Sequence, residues 1–382
     1  MVDKLSNKKT VVIGLSGGID SAVSAYLLIK QGYNVIALFM QNWDSYLNNE
    51  HNFDSSSSKC EAQMDYEVAQ AVAKFLNIPL FYKDFIKEYW DNVFKYFIFE
   101  YKNNRTPNPD ILCNKFIKFD AFYKYAKETF HCDYIAMGHY AKVVHDGDLH
   151  YLALAKDEKK DQTYFLCELS SEQIKNVLFP LADLTKQEVR IIGKTINLPN
   201  ADKKDSTGIC FIGERNFKKF LENYIPHQPG KIVDITNNKV VGEHFGAMYY
   251  TIGQRKGLNL GGLKERYFVC SKDIATKTIF VAPNSLESKY LFSNCLVIKN
   301  FNWQYKPTSH TNILGRFRHG QKLQPVKVEF DLMKELPKDW WILWNIHIIR
   351  LGRTICKAPT PKCGECFLQE YCPDFKKRSK KI

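Results

Sequence analysis

The sequence predicts a doubly wound parallel α/β sheet, followed by β-rich structure and a short cysteine-rich tail. Three observations lead to this fold class. Residues 10–39 read as strand, tight turn, helix and strand. Strand-like and helical stretches keep alternating as far as Met137. Beyond about Arg215 the pattern changes to short strand-like runs broken by turns at Pro229-Gly230, Asn237-Asn238 and Gly261-Gly262.

The first unit sets the rest. Val11, Val12, Ile13 and Leu15 read as a buried parallel strand, and Ser16, Gly17 and Gly18 are small enough to bring backbone N–H groups against a phosphate. A helix follows from Asp20, with Ala22, Val23, Tyr26 and Leu27 at helical spacing, and Gly32 with Asn34 closes it before the strand Val35 to Phe39. The helix start adds about half a unit of positive charge, so a pyrophosphate is the expected ligand. No Gly-x-x-x-x-Gly-Lys run is present, which excludes the Walker loop.

Gln41 to Lys59, with four consecutive serines, reads as a surface loop. A helical stripe of Ala62, Tyr66, Ala69, Val72, Ala73 and Leu76 stops at Asn77-Ile78-Pro79, and a strand follows over Leu80 to Tyr82. Phe85 to Tyr101 carries aromatic residues at helical spacing, which is the signature of core packing. In Arg105 to Lys115 the prolines at 107 and 109 predict an extended loop that presents polar side chains. Phe116 to Phe130 reads as a helix, and Tyr134 to Met137 as a strand running into Gly138. Thr185 and Glu188 form a capping-box pattern that opens a helix to Ile196.

Composition narrows the class of function. The 382 residues, 45% of them hydrophobic, suffice for two or three cored domains and exclude a disordered chain. The net charge of +13 points to a polyanionic partner. The polar start, Met1 to Lys9, has neither a signal-peptide core nor an anchor, and the longest apolar run, Trp340 to Ile349, is too short for a bilayer. A cytoplasmic location and no membrane partner are expected. Eleven cysteines in such a chain are expected to be reduced thiols serving as nucleophiles or ligands.

Two of these cysteines stand in polar stretches. Cys113 follows the proline-rich run, and Cys210 lies between Lys203 and Gly213, where basic neighbours favour a thiolate. For Cys113 alone, nucleophile and small core residue are equally good readings. Together the two suggest a redox or sulfur-handling pair. Cys60, Cys132, Cys167, Cys270 and Cys295 lie singly and read as structural.

The run Ser16, Gly17, Gly18, Ile19, Asp20 and Ser21 resembles the PP-loop of enzymes that cleave ATP to AMP and pyrophosphate. Taken together, the motifs resemble the tRNA-specific 2-thiouridylase family. The resemblance is carried by this loop, Met40 with Asn42 to Asp44, Arg105 to Asp110 with Cys113 to Lys115, and Gly138 to Tyr140. It continues in Asp161 to Leu166, Lys204 to Glu214 and Tyr250 to Leu258, so that roughly residues 10–320 are covered.

The resemblance implies an adenine nucleotide alpha hydrolase-like first domain that takes ATP and Mg²⁺. Gly14 to Ser21 would bind phosphates, while Met40 and Gly138 would line the adenosine pocket. Asn108, Pro109 and Asp110 would touch the target uracil, flipped from the anticodon stack. Lys160, Asp161, Gln162, Arg316 and Phe317 would contact tRNA, although the family usually has tyrosine where this chain has Phe317.

Adenylating the C2 oxygen of the wobble uridine would give that carbon a leaving group, and sulfur would arrive as a persulfide on Cys210. Cys113 would release it as hydrosulfide and leave a disulfide with Cys210, or the persulfide would attack directly. Asp110 would serve as general acid or base, or only as a loop cap. The expected partners are tRNA and a sulfur donor such as a cysteine desulfurase or relay protein, and the expected state is a monomer. The alternatives are another adenylating synthetase on the same loop, and a non-enzymatic RNA-binding protein.

The implied domains are 1–215, catalytic; 216–282, central and β-rich; 283–330, a partial β-barrel; and 331–382, a basic tail. The tail departs from the thiouridylase pattern. Cys356, Cys363, Cys366 and Cys372, with gaps of six, two and five residues, resemble the iron–sulfur loop of endonuclease III-type DNA glycosylases. A 4Fe-4S cluster is the implied ligand and zinc the alternative, with no glycosylase activity because the catalytic lysine and aspartate context is missing.

Overall fold

The structure is a computed structural model that describes residues 8–44, 61–103, 105–205, 217–262, 265–293, 298, 301–304 and 313–326. Its centre is a parallel sheet of five strands: β1 (Thr10–Gly14), β2 (Asn34–Gln41), β3 (Leu80–Asp84), β4 (Tyr134–Ala136) and, after a hairpin, β7 (Val177–Leu178), in the order β3-β2-β1-β4-β7. Val11 pairs with Val35 on one side and Tyr134 on the other, so β1 is central. The hairpin, β5 (Lys142–Asp146) with β6 (Leu149–Ala153), turns through Gly147 at φ +58°. Its signal in the sequence is too short to stand out from loop.

Alternation along the strands separates two cores. Val11, Ile13 and Leu15 face one layer together with Val35, Ala37 and Phe39, and meet helix α1 (Ile19–Lys30) and helix α2 (Glu61–Leu76) through Ala22, Val23, Ala69 and Val72. Val12 and Leu38 face the other, against the aromatic helices. Helices on both faces make the doubly wound sheet that the βαβ pattern predicts.

The aromatic layer comprises two helical runs. The first, 86–102, carries a π-helical turn over Trp90–Phe94, and its Tyr89, Phe94 and Phe97 are fully buried. The second, 109–130, corrects the extended reading of 105–115. Only the chain up to Asn108 is extended, because Asn108 caps a helix that begins at Pro109, and the first helical position needs no backbone N–H. A π-helical stretch, Cys113–Ala121, lies within this run, so Cys113 sits on a helix and not in a loop.

The second half is β-rich. Strands β8 (Gly230–Asp234), β9 (Val240–His244), β10 (Tyr267–Asp273) and β11 (Thr278–Pro283) form a sheet in the order β10-β11-β8-β9 around Ile232, Val269, Ile279 and Val281. A separate C-terminal unit contributes, among the described residues, one antiparallel pair, Ile313–Gly315 with Gln324–Val326. No helix among the described residues is long and apolar enough to cross a membrane.

Candidate active site at the phosphate loop

The loop between β1 and α1 lies at the C-terminal end of the central strand, where the connections leave in opposite directions, the switch point at which sheets of this kind bind ligands. Gly17 takes φ +78°, and a Cβ there would stand 2.5 Å from the carbonyl oxygen of Asp65 on α2. At Gly18 a Cβ would meet only Ser16 Oγ at 3.5 Å, so glycine leaves that side of the loop bare. Ser21 Oγ donates to the Gly18 carbonyl at 2.9 Å, and Ser16 N–H donates to Ser21 Oγ at 3.3 Å. These bonds hold a small concave turn against the first turn of α1, a shape suited to phosphate.

The adjoining strands bring the other expected nucleotide residues to the same place. A Cβ on Gly14 would lie 2.7 Å from Met137 Sδ and 3.3 Å from Met40 Cε. A Cβ on Gly138 would lie 2.9 Å from Ser21 N. Gly14 to Ser21, Met40 and Gly138 therefore form one contiguous group, built from the ends of β1, β2 and β4.

Charge is concentrated beside the loop. Asp20 accepts from Tyr140 OH at 2.9 Å and takes Lys186 Nζ with both oxygens, at 2.6 and 2.8 Å. The same ammonium lies 2.9 Å from Asp205, which also holds Arg190 at 2.6 Å and Lys160 at 2.9 Å. Partial burial pushes the Asp205 carboxyl up, but Lys186 and Lys160 outweigh it and hold the group at about 2. Burial, then Asp20, raises the Tyr140 hydroxyl well above its ordinary value, so it stays a donor. Burial, with Lys118 nearby, keeps His139 neutral, and its ring packs against Phe119 and Phe179.

Cys113 is 1% exposed and packs in the core cluster that includes Met137, with Met40 against it. One turn earlier, the Asn108 side-chain oxygen accepts from Asp110 N–H at 3.2 Å, and Pro109 is buried. Lys160 reaches the loop network through Asp205. The Asp161 carboxylate is buried and accepts from Ala155 N–H and the Thr163 hydroxyl, so its work is to shape this turn. Gln162 exchanges bonds with the Tyr140 backbone. Arg316 and Phe317 belong to the C-terminal unit, where Phe317 N–H donates to the Gln321 side chain at 3.0 Å. Cys210, Cys356, Cys363, Cys366 and Cys372 lie outside the described residues.

Comparison with known proteins fits this geometry. Residues 9–214 match a family model described as the tRNA methyl transferase HUP domain, and residues 218–283 one described as the tRNA methyl transferase PRC-barrel domain. A tRNA-specific 2-thiouridylase MnmA from Ureaplasma urealyticum is 61% identical over 84% of this chain and 85% of its own length. The chain belongs to the tRNA-specific 2-thiouridylase family. MnmA proteins from Mycoplasmopsis synoviae, 57% identical over 85% of this chain and 86% of theirs, and Mesoplasma florum, 54% over 86% and 90%, are further relatives.

For this thiouridylase-family chain, the motifs locate the loop and the nucleotide group but not the charges around them. Lys186, Arg190 and Asp205 are 15 to 166 residues from their partners in sequence, and only Thr185-x-x-Glu188 hints at them. That box forms with both hydrogen bonds and starts the helix Lys186–Thr195, placing Lys186 at its first position.

Proposed function

We propose that this chain is an ATP-dependent tRNA 2-thiouridylase that adenylates the C2 oxygen of a wobble uridine and replaces it with sulfur, giving 2-thiouridine, AMP and pyrophosphate. The observation that carries this reading is the contiguous phosphate loop, with Met40 and Gly138 against it, in a chain 61% identical to an MnmA protein. When bound, ATP supplies the AMP that turns a carbonyl oxygen into a leaving group. The backbone of Gly14 to Ser21 and the start of α1 hold the phosphates and favour the departing negative charge. Among the described residues no three His, Cys, Asp or Glu side chains are grouped to hold a metal. Mg²⁺ would enter with ATP, on the phosphates and water with one or two carboxylates at most, as that ion commonly binds.

Asn108, Pro109 and Asp110 are assigned to the uracil, with Asp110 moving the proton, and Lys160 with Gln162 to the tRNA backbone beside Asp161's turn. Arg316 and Phe317 are assigned a second tRNA contact on the C-terminal unit. Cys210 carries the persulfide, loaded by a desulfurase or relay protein. Cys113 either attacks the persulfide first, displacing hydrosulfide and forming a disulfide with Cys210, or, where the persulfide attacks C2 directly, attacks Cys210 afterwards to cleave the sulfur–sulfur bond and release the 2-thio product, leaving the same disulfide. For the tail we infer a four-thiolate metal site at Cys356, Cys363, Cys366 and Cys372, supported by their spacing alone.

The test is nucleoside mass spectrometry of tRNA incubated with the purified protein, ATP and a persulfide source, which separates oxygen-to-sulfur exchange from methylation. The wild-type chain should form 2-thiouridine, and Cys113→Ser and Cys210→Ser should each form none. Cys113→Ser should still accept labelled sulfur from a desulfurase. Product from the double variant would leave another adenylating synthetase as the better reading.

A further inference from the structure

The helical run 109–130 changes pitch where Cys113 stands. Pro109–Leu112 and Phe122–Phe130 are α-helical, and Cys113–Ala121 between them is π-helical. The far end is fixed in the core by Phe122 and Ala126, both fully buried. A turn that loses one residue would rotate the near end by about 100°, the angle that one residue subtends in an α-helix. The register of the π-helical stretch therefore sets where Asn108, Pro109, Asp110 and Cys113 stand. Such turns are rare and occur frequently at functional sites.

One side chain from outside the run clasps that stretch. Gln173 Nε2 donates to the Lys115 carbonyl at 2.9 Å and to the Phe119 carbonyl at 3.4 Å. Its Oε1 accepts from Ser170 N–H at 3.1 Å, while Gln173 N–H donates to Ser170 Oγ at 3.2 Å, which closes the capping box of the short helix Ser171–Ile174. A capping box takes Glu as well as Gln, and the box at Thr185 in this chain uses Glu188. Capping alone thus gives the amide nitrogen no task, and the two carbonyls supply one. Asn114, 1% exposed, adds a second tie by donating to the Phe165 carbonyl at 2.9 Å.

We propose that Gln173 is a positioning residue of the sulfur-transfer reaction: its amide nitrogen holds the π-helical stretch in register and so aims the helix start that carries Asn108, Pro109, Asp110 and Cys113. The inference rests on the thiouridylase reading above. Gln173→Glu keeps the cap but has no N–H to donate, and it sets a carboxylate against the two carbonyls. The stretch then relaxes toward α-helical pitch, Cys113 leaves its buried place, and the phosphate loop is untouched.

The experiment uses full-length Gln173→Glu and two readouts. The first is alkylation by N-ethylmaleimide in native buffer, followed by mass spectrometry at Cys113 and at Cys132, a fully buried thiol of the same core. Cys113 should react about tenfold faster than in wild type, as a lost hydrogen bond shifts a local opening, while Cys132 keeps its wild-type rate. The second is 2-thiouridine formation at saturating tRNA, which should fall by about a hundredfold, the scale of a misplaced reacting group, with ATP affinity by calorimetry unchanged. If Gln173→Glu does not fold, Gln173→Met is read in the same way. Unchanged labelling of Cys113, a parallel rise at Cys132, or an unchanged rate of 2-thiouridine formation would each overturn the proposal. A wild-type chain that forms no 2-thiouridine refutes the thiouridylase reading, and the labelling ratio then still decides whether Gln173 holds the turn.

Discussion

Gly17 and Gly32 both have left-handed backbone, at φ +78° and +88°, yet they should respond differently to a methyl group. At Gly32 nothing lies within 4 Å of the added carbon, so Gly32→Ala loses only the conformational preference, about 1 kcal/mol. At Gly17 the carbon strikes the Asp65 backbone, and the loop or α2 must shift as well. Gly17→Ala should therefore lower the thermal midpoint more than Gly32→Ala and weaken ATP binding in calorimetry, which Gly32→Ala should leave unchanged. Equal ATP affinity in the two variants would mean that the loop does not hold the phosphates. Glycine in a Ser-Gly-Gly turn already signalled this much. The place of Cys113 was less legible, because proline at 107 and 109 weighs against helix everywhere except the first helical position, which is where Pro109 falls.

At the scale of an element, β10 carries an uncommon burden. Lys272 is 8% exposed, and its ammonium donates to the Tyr250 carbonyl at 2.7 Å. Burial lowers its pKa from 10.5 to about 8. The sign follows from proton counting: between pH 8 and 10.5 the unfolded chain binds a proton that the folded chain has released, so this group makes stability rise with pH in that window. Below pH 8 both states are protonated, and the penalty of burying the charge is constant. Denaturant titrations of wild type and Lys272→Met should show their difference moving in favour of wild type from pH 8 to 10.5. A difference independent of pH would mean that the ammonium is solvated. No sequence signal marked this lysine, since one charge in a strand ordinarily faces water. The aromatic spacing of Phe85 to Tyr101, by contrast, identified its helix as a packing element.

Across the whole molecule, what the sequence revealed depended on how far apart the cooperating residues lie. The strand, loop and helix start proposed to take phosphate fall within twelve consecutive residues. The network around Asp20 and Asp205 joins residues up to 166 positions apart, and no local pattern records it. The tail is the opposite case, a compact pattern of four cysteines with no described geometry beside it. Its spacing makes a plain prediction: protein purified without oxygen should contain iron and sulfide, or zinc, at one site per chain, and Cys363→Ser should lose it. Metal far below one equivalent would mean that the four thiols do not form a site.

The strand order carries a further consequence, which concerns synthesis. β1 is central in the finished sheet, but Tyr134, its partner on one side, leaves the ribosome 123 residues after Val11. At 5–20 residues per second, the 50 residues from the end of β3 at Asp84 to Tyr134 take roughly 2.5–10 s, during which β1, β2 and β3 are able to pair while one edge of β1 has no strand beside it. For that interval the strand that leads into the phosphate loop is the exposed border of a nascent sheet, open to pairing with any neighbouring chain.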